Sequence, residues 1–434
     1  MKTKIIILSA LFLVLPIATH AVPAVSGVSG TVNDGGSVIV NGAGFGIKAT
    51  ATPLIWDNFE NCVDGTPLQS IEPSWVSQKT SGAICTNDAY AGSHAVKNTA
   101  YYDAVKNDGS TTINDFSTNS REFPPVNEVY YTYTFKSRLD SGDGYGVGKA
   151  GRIGSNSMPG ISQYNGPGTS AICSNYNWFS QGTAVGVLSL DGTNNVMPYY
   201  STILNGSTFP YYGGGSGVRC NSGNNYCQPV SDVWTRQEGY RRNSSPAGAT
   251  NGQYVNTLDG IVAWNTGNNY ITKPAGQTWD LNSVLLPLMF TNMHLGEQVT
   301  MVVDSVYADN TQARVELCDN NIWTVDTRKH CEIQVPSTWS DGSVSLTVNQ
   351  GSFKSGDQAY IYIIDKDGNV NTNGYPVTIG GSVISPPPTP TTYNLSNFTQ
   401  LTTDWLKTIF SPADVNKDGK VNSQDLGIMM SNWN

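Results

Sequence analysis

Alternating apolar and polar residues in the middle of the chain predict β-strands. In residues 129–138 (VYYTYTFKSR) and 233–242 (VWTRQEGYRR), side chains at alternate positions form two sets. One set would face a core and the other an open face. Similar strand-like stretches occur at 183–190, 260–264 and 298–306. This pattern is typical of a two-sheet jelly roll.

A shorter strand pattern near the N-terminus breaks off abruptly. Residues 24–48 read as two strands around a Gly-rich turn and then meet an unrelated segment, WDNFE. Two strands are too few for a domain. More than 260 residues later, further alternating strands appear at 313–317, 344–348, 359–364 and 375–379.

These separated pieces resemble the IPT/TIG branch of the immunoglobulin-like domains. The resemblance is carried by GGSVIVNGAGFG, STWSDGSVSLTVNQGSF and GDQAYIYIIDKDGNVN. In that family the pieces are contiguous. We therefore predict a split domain of residues 22–48 plus 312–381, with residues 49–311 inserted into one of its loops. Insertion at an exposed loop is tolerated because domain termini usually lie close together.

The first 21 residues predict export. They have a basic start, an apolar run, and small residues Thr19 and Ala21 where a signal peptidase would read them. No other run approaches the roughly 20 apolar residues of a membrane span. We therefore expect a signal peptide (residues 1–21) and a secreted protein, extracellular or associated with the cell surface, with no membrane span.

The charge balance argues against nucleic-acid binding. Loss of Lys2 and Lys4 with the signal peptide changes the formal charge from −9 to −11. No cluster of Lys and Arg is present that could neutralise several phosphates. Only 13% of the residues are charged, whereas Gly and Tyr are abundant. Such a composition suits short strands joined by tight turns, so that the expected fold class is all-β.

The seven cysteines of an exported chain are expected to form disulfides. Spacing does not prove their connectivity. The plausible local pairs are Cys62 with Cys85, Cys220 with Cys227, and Cys318 with Cys331, which leaves Cys173 over.

A Pro/Thr-rich linker, residues 382–393, separates a small helical C-terminal module, residues 394–434. Its sequence DVNKDGKVNSQD has oxygen-bearing residues at the ligand positions of an EF-hand-type loop, with Gly419 at the sharp turn. Hard oxygen ligands favour Ca²⁺ over a transition metal. The predicted ligands are Asp414, Asn416, Asp418, Lys420 through its carbonyl, Asn422 and Asp425.

This loop and the helix after it resemble the dockerin family, because Asp stands at the last ligand position and the helix ends the chain. Dockerins usually carry two such units. The earlier copy has no carboxylates in TPTTYN, so we predict one Ca²⁺ ion. The resemblance implies that Ser423 and Gln424 help to recognise a cohesin-like partner. The repeated apolar residues predict a core between two helices: Phe398, Leu401 and Trp405 correspond to Leu426, Met429 and Trp433.

The inserted region resembles the concanavalin A-like jelly rolls of legume-type lectins, glucanases and several polysaccharide lyases. VYYTYTFKSR…GKAGRIG, VWTRQEGYRRNSSPAGATNGQYVNTLDGIVAW and EQVTMVVDSVYADN carry this resemblance. It implies either a sugar-binding surface or β-elimination of a uronic-acid glycan, which needs a cation and a base. A retaining glucanase is disfavoured because the E-x-D-x-x-E arrangement is missing. The candidate catalytic residues are Arg236, Tyr240, His294 and Lys149, and the candidate ligand-binding residues are Arg152, Glu238 and Trp264.

Each candidate also has a structural explanation. Arg236 and Glu238 lie on one side of the same strand and could form a solvated ion pair, and Tyr240 and Trp264 could belong to a core. Three functions therefore stay open. The first choice is a carbohydrate-binding protein with a calcium-loaded tail for attachment. The alternatives are a polysaccharide lyase acting on a uronic-acid glycan and a non-enzymatic structural or adhesion protein.

Overall fold

Regular structure in the computed structural model is almost entirely β-strand, which confirms the all-β prediction. None of the helices among the described residues is long and apolar enough to cross a membrane. The structure describes residues 22–77, 82–101, 113–115, 119–141, 147–149, 152–155, 177–179, 184–186, 203–204, 207–208, 232–265, 267–268, 271–273, 275–276, 278, 280–286, 289–293, 296, 298–324, 330–383, 393–407, 411–415, 420–431 and 433.

The elements are numbered in chain order. The helices are α1 (Leu68–Ile71), α2 (Leu395–Asp404) and α3 (Ser423–Ser431). The strands are β1 (Ala24–Thr31), β2 (Ser37–Ala43), β3 (Ile55–Asp57), β4 (Val76–Ser77), β5 (Ile84–Thr86), β6 (Ala95–Tyr101), β7 (Ile113–Asp115), β8 (Asn119–Val126), β9 (Glu128–Ser141), β10 (Val147–Lys149), β11 (Arg152–Ser155), β12 (Asn177–Phe179), β13 (Ala184–Gly186), β14 (Ile203–Leu204), β15 (Ser207–Thr208), β16 (Thr235–Arg242), β17 (Gln253–Leu258), β18 (Ile261–Asn265), β19 (Leu281–Leu285), β20 (Met289–Met293), β21 (Gln298–Asp309), β22 (Arg314–Cys318), β23 (Cys331–Ser340), β24 (Ser343–Thr347), β25 (Gln358–Ile364), β26 (Tyr375–Thr378) and β27 (Ser382–Val383).

Two distant parts of the chain share one sheet, and we call them together the host domain (residues 22–48 and 312–383). The N-terminal hairpin β1–β2 pairs through β2 with β24, and Val40 lies opposite Val344. The strand order is β26-β25-β22-β23-β24-β2-β1-β27. β23 pairs with β22 along its first half and with β24 along its second half, where the register shifts between Pro336 and Thr338.

The core of the host domain is built from both parts of the chain. Val28, Val38 and Val40 of the hairpin are buried with residues of β22, β24 and β25. Because successive strand residues point to opposite faces, the alternation in these strands supplies one apolar face each. The hairpin is therefore completed by strands that follow the insertion.

The inserted domain (residues 49–311) has a large sheet in the order β18-β17-β16-β9-β21-β6-β5, with β3 also paired to β21. Its further strands form sheets in the orders β12-β11-β19-β8-β4 and β13-β10-β20-β7, and β14 pairs with β15. On β9, Tyr131, Tyr133 and Phe135 are buried on one face, while Tyr130 and Thr132 point to the other. Gly239 of β16 lies under the ring of Tyr131, where a Cβ atom would clash.

Two disulfides occur among the described cysteines, Cys62–Cys85 and Cys318–Cys331. They confirm two of the three predicted pairs. The first lies in the inserted domain, and the second joins β22 to β23 in the host domain. Cys173, Cys220 and Cys227 lie outside the described residues.

The C-terminal module has two helices and a small core. Asn394 caps α2, since its side chain accepts the main-chain amides of Ser396 and Asn397. Leu401 and Met429 are buried together, with Phe398 and Leu426 packed against them. This arrangement confirms the predicted core for four of the six repeated apolar residues. Trp405 and Trp433 differ, because they remain 40% and 41% exposed.

Candidate functional site

The face of β16 that carries Arg236 and Glu238 is covered by the host domain. The two residues are only 8% and 4% exposed. Ile333 of the host strand β23 packs in one apolar cluster with Tyr130 and Tyr240 of the inserted domain. The expectation of an open face or a solvated ion pair at this position is therefore wrong.

Arg236 is bonded to host residues through its guanidinium. Its Nη1 atom donates to Glu316 Oε2 at 2.8 Å and to the carbonyl of Cys331 at 3.1 Å. Its Nε atom donates to Thr132 Oγ1 at 3.1 Å, and its Nη2 atom lies 3.3 Å from Glu238 Oε1. These bonds occupy the donors that would otherwise hold a substrate carboxylate.

Arg314 and Glu316 of β22 complete this cluster, which we call the junction cluster: Arg236, Glu238, Arg314, Glu316 and Tyr130. Arg314 Nε donates to Glu316 Oε1 at 2.6 Å, and the Arg314 guanidinium lies 4.1 Å from the centroid of the Tyr130 ring. Tyr130 OH donates to Glu238 Oε1 at 2.7 Å. Two arginines and two glutamates thus balance one another around one tyrosine.

The electrostatics of the junction cluster keep its two arginines charged. Burial by itself would lower the pKa of Arg236, but the neighbouring Glu316 and Glu238 outweigh it and hold that pKa well above its usual value. Burial also raises the pKa of the Tyr130 hydroxyl far above its ordinary range. This tyrosine therefore serves as a hydrogen-bond donor and not as a base at neutral pH.

Tyr240 is engaged in the same region. It is 3% exposed, and its hydroxyl donates to Glu128 Oε2 at 2.6 Å. Burial raises its pKa, and the Glu128 carboxylate raises it further. A general base must reach the proton that it abstracts. The structure does not provide that access for Tyr240.

The remaining sugar-site candidates are not brought to the junction cluster. Lys149 lies on β10, in the sheet of β13, β20 and β7, and Arg152 lies on β11, in the sheet of β12, β19, β8 and β4. Trp264 lies on β18, at the edge of the sheet that contains β16. For these three residues the structure describes the main chain alone, and His294 lies outside the described residues. The predicted set of Arg236, Tyr240, His294 and Lys149 is therefore not assembled by the described residues.

The predicted calcium loop closes on its last ligand. Asp425 is fully buried, and its Oδ1 atom accepts the amide of Val415, next to the first ligand Asp414, at 2.6 Å. Its Oδ2 atom accepts the amide of Asn422 at 2.8 Å. The two ends of the twelve-residue loop are thereby held together.

The donor set of this loop fits a hard cation. The described ligand candidates Asp414, Lys420, Asn422 and Asp425 offer carboxylate, carbonyl and amide oxygens, which are the ligands that Ca²⁺ prefers. Asn422 Oδ1 accepts the amide of Gln424 at 2.8 Å and so caps α3. Asn416 and Asp418 lie outside the described residues.

The two partner-binding candidates begin the last helix. Ser423 and Gln424 are both exposed on the first turn of α3. Asp425 follows them directly and faces inward. Any Ca²⁺ held by the loop would therefore fix the backbone that presents these two side chains.

Sequence reasoning missed the host side of the junction cluster. The strand ARVELC alternates charged Arg314 and Glu316 with apolar Val315 and Leu317. Such alternation predicts that one face is apolar and the other polar. It does not tell a solvent-exposed polar face from one that packs against a second domain.

Comparisons with known proteins gave structural similarities alone. No family model matches the chain, and no curated protein does. Similar solved structures include the alginate lyase Aly36B (11% identity, 60% of this chain and 98% of that chain, TM-score 0.35). The carbohydrate recognition domain of Emp46p in its potassium-bound form matches with 14% identity over 59% of this chain and 99% of that chain, with a TM-score of 0.31. The GH131 β-glucanase catalytic domain from Podospora anserina matches with 13% identity over 59% and 96%, with a TM-score of 0.27. Because these similarities are weak, the proposals rest on residues of this chain.

Proposed function

We propose that this chain is an exported carbohydrate-binding protein whose inserted domain is a concanavalin A-like jelly roll in an IPT/TIG-type host domain. Its dockerin-like tail would hold one Ca²⁺ ion and attach the protein to a cohesin-like partner. The observation that carries the attachment part is the buried Asp425 carboxylate, which closes the loop that begins at Asp414.

In this proposal Ca²⁺ organises the tail rather than taking part in chemistry. Asp414, Asn416, Asp418, Lys420, Asn422 and Asp425 would hold the ion. A bound Ca²⁺ neutralises the carboxylates and orders the loop before α3. Ser423 and Gln424 would then be presented to the partner on a fixed helix.

The surface that the host domain covers bears on where a glycan would bind. The outer face of β16 at Arg236, Glu238 and Tyr240 is occupied by protein contacts. We therefore assign glycan binding to the strands β10 and β11, with Lys149 and Arg152 as candidate contacts. Cationic side chains there would suit an acidic polysaccharide. The described residues offer no observation that favours a lyase over a binding protein.

Calorimetric titration with CaCl₂ tests the tail. The wild-type chain is expected to bind one Ca²⁺, and Asp425→Ala is expected to abolish binding. Gln424→Ala is the matched control, because its side chain is exposed and is not a predicted ligand; it should retain Ca²⁺ and lose affinity for a cohesin-like partner. A stoichiometry of two, or no binding by the wild type, would contradict the proposal.

A glycan array tests the inserted domain. The wild-type protein is expected to retain an acidic glycan, and Lys149→Ala with Arg152→Ala should weaken that binding at least tenfold. Lys366→Ala, on an exposed turn of the host domain, is the control and should bind normally. Ultraviolet absorbance of the bound glycan would reveal elimination products if the protein were a lyase. An array without any hit would count against glycan binding.

A further inference from the structure

The chain crosses between the two domains at a buried ion pair. Lys48 ends the first host segment, and Asp309 ends the last strand of the inserted domain. Lys48 Nζ lies 2.5 Å from Asp309 Oδ2, and the two side chains are 0% and 1% exposed. Both crossings of the insertion are thus tied together away from solvent.

Neighbouring aromatic residues from both domains enclose this pair. Tyr307 OH donates to Asp309 Oδ2 at 2.6 Å. Lys48 Nζ lies 5.4 Å from the centroid of a ring of Trp339, a host residue on β23. Removing one partner of an ion pair in such surroundings strongly destabilises the protein, because the other charge stays buried.

The junction cluster ties the domains a second time. Arg236 and Glu238 come from the inserted domain, and Arg314 and Glu316 come from the host. Two ion pairs cross the boundary, Arg236–Glu316 at 2.8 Å and Arg314–Glu238 at 3.5 Å. Each domain contributes one positive and one negative charge, so each half is neutral by itself, but the two pairs that cross the boundary form only when the domains are together.

A third contact between the domains involves Tyr90. Tyr90 of the inserted domain lies near Ser352 and Glu332 of the host; burial raises the pKa of its hydroxyl well above the usual value, and the negative charge of Glu332 raises it further. Ser352 Oγ in turn lies 2.8 Å from Glu332 Oε1 and 2.7 Å from His330 Nε2. A polar group of the inserted domain is therefore buried against a hydrogen-bonded cluster of the host.

From these three contacts we infer that the host and inserted domains unfold together as one cooperative unit. Opening the boundary alone would break the Lys48–Asp309, Arg236–Glu316 and Arg314–Glu238 pairs. The insertion is therefore a fixed extension of the host domain. This inference does not depend on the proposed function.

Hydrogen exchange of the full chain in increasing urea tests this inference. Amides of β2 and β24 report on the host domain, and amides of β9 and β16 report on the inserted domain. In the wild type, both sets are expected to lose protection at the same urea concentration. Loss of protection in β9 and β16 at a clearly lower concentration than in β2 and β24, or the reverse, would overturn the inference.

A double-mutant cycle on Arg236→Met and Glu316→Leu gives a second test. Each single variant should lower the unfolding midpoint by about 10 °C, and the double variant should lose less than the sum, because both partners leave together. Lys366→Ala, which removes an exposed pair with Asp367, is the control and should shift the midpoint by less than about 2 °C. Strictly additive losses would contradict coupling across the boundary. If a single variant fails to fold, the exchange experiment on the wild type still decides.

Discussion

The junction cluster and the predicted calcium loop both bury a carboxylate completely, but they stabilise it in different ways. Glu316 is 0% exposed and accepts hydrogen bonds from two arginines. Asp425 is also 0% exposed and accepts main-chain amides of Val415 and Asn422, to which our proposal adds Ca²⁺. In the junction cluster, Arg236 and Arg314 supply the positive charge. A chelator should therefore affect the predicted calcium loop and leave the junction cluster unchanged.

The largest expected effect on stability comes from removing the Glu316 side chain. Glu316→Ala leaves Arg236 and Arg314 with less compensating charge in a buried place, so the free energy of unfolding should fall by about 3–5 kcal/mol. Urea unfolding with and without EDTA measures this loss, which should be the same in both. Asp367→Ala, in an exposed pair with Lys366, is the control and should change it by less than about 1 kcal/mol. A loss that small for Glu316→Ala would mean that the junction cluster is not a stabilising element.

Asp304 shows what main-chain amides do for a buried carboxylate. Its oxygens accept the amides of Tyr90, Ala91 and Ser305. Burial nevertheless raises its pKa to about 7, with a smaller contribution from the negative charge of Glu60. Amide donors therefore compensate only part of the cost of burying this charge.

Asp304 should make the protein less stable as the pH rises towards neutrality. The folded state binds the proton more tightly than the unfolded chain, so its contribution is fully present below about pH 4 and is lost as the pH rises through about 7. The shift corresponds to a change of about 4 kcal/mol. Urea unfolding between pH 4 and pH 8 should show this slope in the wild type, and Asp304→Asn should remove it. An unchanged slope in Asp304→Asn would assign the pH dependence to other groups.

Chelation should act on the tail alone. At free Ca²⁺ of about 100 times the dissociation constant, binding stabilises the folded tail by about 2.7 kcal/mol. EDTA or Asp425→Ala should therefore increase hydrogen exchange in α3 and leave the exchange of β9 and β24 unchanged. Protection of α3 that does not respond to EDTA would show that the apolar core of Leu401 and Met429 holds the tail without the metal.

The sequence allowed the local elements to be predicted better than their surroundings. The alternation in residues 129–138 predicts a strand, and β9 spans Glu128–Ser141. That the N-terminal hairpin joins the strands after the insertion could also be predicted, because two strands alone do not make a domain, whereas the pattern does not specify its pairing through β2 with β24. The burial of Arg236 and Glu238 could not, since their partners Arg314 and Glu316 are about 80 residues away in the chain and read as a solvent-facing pattern.

The smallest expected effect concerns Asp404, a tail carboxylate with mixed partners. Hydrogen bonds from Ser411, Gln400 and Lys407, in that order of importance, lower its pKa to about 2. Its contribution to stability is therefore present above about pH 4 and is lost as the pH falls through about 2. Lys407 is 46% exposed, so that Lys407→Met should raise the pKa of Asp404 only slightly, whereas Ser411→Ala should raise it more. NMR titration of the Asp404 carboxyl carbon measures both shifts. The opposite order would mean that the exposed ammonium, and not the buried hydroxyl, stabilises this carboxylate.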